Sequence, residues 1–140
     1  MPIQYHPSRG TLLFCDFDNT FKTPEMIKRR PVIVISPPIK GRSGLCTVVC
    51  CSTTMPKTTM PYHAQIHLHE PLPVPLSSSF WIKGDMIYTV SFQRLSLIRA
   101  GKDTSGQRKY YSTILTDDQL RTVSACILHG LNLSFLTKHL

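Results

Sequence analysis

The 140 residues are enough for one domain with one modest core, and 41% apolar content can fill it. Sixteen Lys and Arg against eight Asp and Glu give a net charge of +8, which favours a polyanionic partner because basic side chains gain affinity by releasing counterions from phosphates. No apolar run nears the ~18 residues of a membrane span, and MPIQYHPSRG at the start lacks the apolar stretch of a signal peptide, so no membrane partner and a cytoplasmic location are expected.

In chain order, GTLLFCDF (residues 10–17) reads as a buried strand. The segment from Asp18 to Arg30 carries Pro24, charges and turn formers and reads as a mobile loop. PVIVIS (31–36) is the clearest strand, with β-branched residues in succession, and PPIKGRSG breaks it. LCTVVCC is a third strand and STTMPKTTMP a second loop. YHAQIHLH (62–69) alternates, with Ala64, Ile66 and Leu68 on one face. EPLPVPLSSS (70–79) is a proline-rich turn region. FWIKG and MIYTVSFQRLSLI read as two short strands linked around Lys83 to Asp85, with Phe80 and Trp81 read as core residues in preference to base-stacking platforms, and GKDTSGQRK reads as an exposed polar loop. Thr116 reads as a helix N-cap with Asp117 and Asp118 in the first turn. Leu120, Val123, Ile127 and Leu131 then mark one helical face.

The cysteines Cys15, Cys46, Cys50, Cys51 and Cys126 are odd in number and form no C-x-x-C pair, which points to reduced thiols rather than a disulfide framework. His63, His67 and His69 fall on the polar side of an edge strand. His67 and His69 have the spacing to share a metal, and no role is assigned to the three. DFDNT (16–20) has the form of the nucleophile motif of haloacid-dehalogenase-type phosphatases, in which Asp16 and Asp18 would hold magnesium. Those enzymes need a parallel sheet with long crossovers. The short stretch between Phe17 and Pro31, without an apolar stripe, does not supply one.

KRRPVIVISP (28–37) resembles the second strand of PemK/MazF toxins, with an arginine directly before a proline and a β-branched strand. GTLLFCDF resembles their first strand, PEMIKRRP their loop end, GLCTVVCCSTT their third strand and GDMIYTVSFQRL a later segment, all in order over residues 10–98. The resemblance implies one domain over residues 1–140, a mainly β, small SH3-like antiparallel barrel with a C-terminal helix. It also implies an endoribonuclease toxin that works without a metal or other cofactor. Single-stranded RNA would be cut by attack of its own 2′-hydroxyl, leaving a 2′,3′-cyclic phosphate and a 5′-hydroxyl. Its partners would be a second copy of the chain and an acidic antitoxin.

Carried onto this sequence, the resemblance makes Arg30 a catalytic group, suited to a phosphate by its planar fork. It places a functional hydroxyl at Ser52 or, one residue on, Thr53. Asp85 and Lys83 take the places of a base and an acid, with lysine where the family has arginine. Lys22, Lys28 and Arg29 are candidates for binding flanking phosphates. The alternatives are an RNA-binding barrel without catalysis and the magnesium phosphatase using Asp16 and Asp18.

Overall fold

The structure is a computed structural model describing residues 1–18, 20–72 and 78–140. Strands β1 (Leu12–Asp16), β2 (Arg29–Val34), β3 (Leu45–Ser52), β4 (His63–His67), β5 (Ser79–Ser91) and β6 (Leu95–Ser96) form one sheet in the order β4-β5-β3-β2-β1-β6. Every neighbouring pair is antiparallel. Strands β7 (Ile98–Lys102) and β8 (Arg108–Tyr111) make a separate hairpin, and helix α1 (Asp117–Gly130) is followed by a 3-10 turn over Ser134–His139. The mainly antiparallel class with a C-terminal helix is as expected. The sheet, however, ends at β4 and β6 and does not close into a barrel among the described residues.

Alternation along the strands gives the sheet two apolar faces. On one, Leu12, Ile33, Val49, Cys51, Ile66, Phe80 and Ile82 pack with Val123 and Cys126 of α1. On the other, Leu13, Cys15, Val32, Val34, Cys46, Val48 and Cys50 pack with Phe17 and Met26 from the segment joining β1 to β2. That segment was expected to be a mobile loop. Instead its aromatics anchor it: Phe17 and Phe21 stand 5.3 and 5.5 Å from the Tyr88 ring, and the Tyr88 hydroxyl accepts from the Met26 amide at 3.1 Å.

Helix α1 begins where its acidic first turn indicated. Thr116 and Gln119 form a reciprocal capping box, satisfying two amides that the helix itself leaves unpaired. The Gln119 amide also donates to the His67 carbonyl at 2.8 Å, tying the helix to β4. Leu131, expected on the buried helical stripe, is the C-cap and is 55% exposed. The helix ends at Gly130, so Leu131 falls one residue past it and leaves the stripe. No helix among the described residues is long and apolar enough to cross a membrane.

Two expectations about strands are corrected. Residues 80–84 and 86–98 were read as two strands, yet Ser79–Ser91 is one strand carrying a bulge. Val49 faces Ile87 and the next residue, Cys50, faces Lys83, so Gly84, Asp85 and Met86 have no counterparts on β3. GKDTSGQRK is largely exposed as expected, but its ends, 101–102 and 108–109, are strand residues, so its loop is the tip of the β7–β8 hairpin. Asp103 Oδ1 there accepts from the amides of Ser105 and Gln107, both at 2.9 Å, and fixes the turn. Of the proline-rich turn expected over 70–79, residues 73–77 lie outside the described residues.

Candidate active site

The bulge in β5 decides where the candidate residues Lys83 and Asp85 sit. A Cβ on Gly84 would lie 2.3 Å from the Cys126 carbonyl oxygen, and one on Gly130 would lie 2.7 Å from the Gly84 oxygen. Only glycine at both places lets α1 seat directly on the bulge. Gly84 is therefore buried against the helix, and its neighbour Asp85 is exposed.

Cross-strand partners share a face of the sheet. Val32 pairs with Cys50, Cys50 with Lys83 and Lys83 with His63, forming one row across the sheet on the side away from α1. Beside it runs a second row, Ser52, Trp81 and Gln65. Arg30 lies on the same side, opposite Cys15 on β1 and two residues before Val32, where the β2–β3 pairing with Cys50 ends. Arg30 is half-buried, and its Nε donates to the Ile27 carbonyl at 3.1 Å. That bond fixes the stem of the side chain while the two terminal nitrogens make no hydrogen bond to the described residues.

The Cys50 thiol reports which charges converge here. Burial pushes it up to about 12; Cys15 pushes the same way, Lys83 pulls it down, Asp85 raises it and Arg30 lowers it. Arg30, Lys83 and Asp85 thus act on one point, beneath which lies a thiol that stays protonated and is no nucleophile at neutral pH. The ion pair found among the described residues is Arg121 with Asp118, on α1. Neither Lys83 nor Asp85 is neutralised by a close partner of opposite charge among them.

His63, to which the sequence assigns no role, joins this group through its pairing with Lys83. Burial holds its imidazole below the usual value; Asp85 pulls it back up and Lys83 adds to the lowering. Its Nδ1 lies 3.0 Å from the Met60 amide, which donates to it. The neutral ring then carries its proton on Nε2.

Of the two candidate hydroxyls, Ser52 is on the site face, and its Oγ accepts the Thr54 amide at 3.1 Å. With a lone pair so occupied, its own O–H is free to donate elsewhere. Thr53 lies past the end of β3 and is exposed. The basic residues proposed for flanking phosphates are scattered. Lys22 and Lys28 are exposed in the β1–β2 segment. Arg29, alternating with Arg30, turns to the other side, with its guanidinium 4.7 Å from the Phe14 ring centre and donating to Ser96 Oγ at 2.9 Å.

The DFDNT segment has a structural explanation. Asp16 Oδ1 accepts the Asp18 amide at 2.9 Å, while Arg94 donates to the Asp16 carbonyl at 2.9 Å and to the Thr20 hydroxyl. Asn19 lies outside the described residues. The antiparallel sheet gives Asp16 and Asp18 none of the parallel crossovers that a phosphatase nucleophile requires. Among the described residues no three His, Cys, Asp or Glu side chains are grouped to hold a metal ion, and His67 and His69 gain no third ligand there.

A family model for PemK-like, MazF-like toxins of type II toxin–antitoxin systems matches residues 8–130. The chain belongs to this toxin family. YifN, an uncharacterized protein of Escherichia coli (strain K12), is 28% identical, over 94% of this chain and 96% of its own. Among solved structures, MazF from Deinococcus radiodurans superposes with a TM-score of 0.59 at 20% identity, covering 92% of this chain and 99% of that one. A mycobacterial endoribonuclease in complex with its cognate antitoxin gives 0.59 at 18% identity, covering 91% and 97%. These superpositions show that the PemK/MazF-like fold extends over nearly the whole chain. The family match likewise spans Arg30, Ser52, Lys83 and Asp85 together.

Proposed function

We propose that the chain is a metal-independent endoribonuclease toxin, a single cytoplasmic domain that cuts single-stranded RNA. The convergence of Arg30, Lys83 and Asp85 about Cys50 carries this reading. Family membership and the description of its structural relatives as endoribonucleases support it. RNA brings its own nucleophile. The ribose 2′-oxygen attacks the adjacent phosphorus, its proton passes to the Asp85 carboxylate, and the P–O5′ bond breaks as Lys83 protonates the leaving oxygen. Arg30 meets the charge that builds on the non-bridging oxygens, and Ser52 adds an O–H donor. The products are a 2′,3′-cyclic phosphate and a 5′-hydroxyl. We further propose a homodimer restrained by an acidic antitoxin, in line with the antitoxin complexes of the structural relatives.

The test is incubation with a long RNA in excess chelator, followed by mapping of the fragment ends. Cutting should survive chelation and fall by roughly 10²–10³-fold in Arg30→Ala, with the circular dichroism spectrum unchanged. Intact RNA with the wild-type chain refutes the proposal. Salt-dependent binding without cutting would identify a non-catalytic RNA-binding protein instead.

A further inference from the structure

Trp81 was expected in the core beside Phe80, and the strand separates them. Phe80 points into the α1 side and is 1% exposed. Trp81 points to the site side and is half-buried. Its cross-strand neighbours are Ser52 on β3 and Gln65 on β4, and the adjacent row holds Lys83 and His63. Its indole N–H makes no hydrogen bond to the described residues, and the half-buried residue leaves part of its surface to solvent. A large ring is thus kept half in water, one strand position from the proposed phosphate ligand Ser52, where burying it would have been more stable.

We infer that Trp81 is the stacking platform of a nucleobase subsite, holding the base of a nucleotide next to the cleaved bond. The inference rests on the ribonuclease reading of the same face. Single-stranded RNA is bound by splaying out its bases onto aromatic rings and hydrogen-bonding their edges. The surroundings of Trp81 suit that task. Gln65 is exposed; its Nε2 makes a long 3.5 Å contact to Ser79 Oγ, leaving a second N–H as donor and its carbonyl oxygen as acceptor. His63, its Nδ1 occupied by the Met60 amide, presents Nε2–H as a donor. The phosphate ligands lie on one side, towards β2 and β3, and the polar groups for a base edge lie on the other, on the β4 edge. A nucleotide seated here spans β3 to β4 with its base over Trp81.

Trp81 is the chain's single tryptophan, so its emission reports the subsite without interference. The experiment titrates the wild-type chain with a 2′-O-methyl single-stranded RNA, which lacks the nucleophile, and reads tryptophan fluorescence alongside anisotropy of an end-labelled copy. Quenching that saturates together with the anisotropy is expected. With cleavable RNA, Trp81→Ala should raise KM roughly ten-fold with little change in kcat, and Trp81→Phe should recover most of that loss. RNA that binds by anisotropy while the emission stays unchanged overturns the inference but leaves the ribonuclease reading intact. Quenching by RNA that the chain never cuts upholds the subsite and sinks the ribonuclease reading. No binding of either RNA overturns both.

Discussion

Replacing Gly84 with alanine tests how the helix and the site are joined. The new methyl would start 2.3 Å from the Cys126 carbonyl oxygen and 2.4 Å from its carbon, both rigid backbone atoms that cannot rotate away. Restoring an ordinary contact near 3.4 Å means opening the β5–α1 interface by about 1 Å. A gap of that size forfeits roughly a quarter to a half of the dispersion between the facing atoms. Overpacking of a well-filled interface costs about 1–3 kcal/mol, and a backbone clash belongs at the upper end. With a urea m-value of about 1.5 kcal/mol/M, a loss of about 3 kcal/mol lowers the unfolding midpoint by about 2 M. Gly41→Ala is the control, because its Cβ would meet nothing within 4 Å and only its φ of +82° opposes a side chain. That substitution costs about 1 kcal/mol and under 1 M in midpoint. Equal shifts for the two variants in urea unfolding would refute the close seating of α1 on the bulge.

Two further outcomes are expected. Thr116→Ala removes the hydroxyl that accepts the Gln119 amide, costing about 1 kcal/mol and about 3 °C in thermal midpoint; an unchanged melting curve would contradict the capping box. All five cysteines are buried and unbridged, and burial pushes Cys15 and Cys50 from 9.0 up to about 12. At pH 8 the thiolate fraction of these two is on the order of 10⁻⁴, so iodoacetamide should label none of the five thiols in the native chain and all of them in urea. Because these thiol values are raised on folding, stability is full below pH 9 and is lost as the pH climbs from 9 towards 12. Rapid native labelling, or unfolding midpoints that stay flat over that range, would overturn the burial.

The parts legible in the sequence were those where local pattern and final packing agree. PVIVIS and LCTVVCC are strands because β-branched and small apolar residues fill both faces of a sheet covered on both sides. Arg30 stood out because a proline follows it at a strand start. What stayed hidden depended on distant residues. Gly84 looks like a turn signal, and its true reason, the backbone of Cys126, lies forty-two positions away in the chain. The β1–β2 segment reads as loose until Tyr88 is known to sit beneath its aromatics. His63 reads as one polar residue among several on an edge strand, and only the pairing of β4 with β5 brings it to Lys83. Trp81 was misplaced because strand alternation sends adjacent aromatics to opposite sides, and nothing local says which one faces the helix.

The bulge on β5 has a consequence for how this chain can vary. In many folds the groups that react sit on loops, and the framework beneath can change without them noticing. Here three successive residues join framework and proposed site: Lys83 faces the side away from α1, Gly84 receives the helix, and Asp85 is exposed again. A substitution on the inner side of α1 near Cys126 or Gly130 therefore also reaches the residues of the proposed site. Neutral drift is open to the outer side of the helix and closed to the inner one.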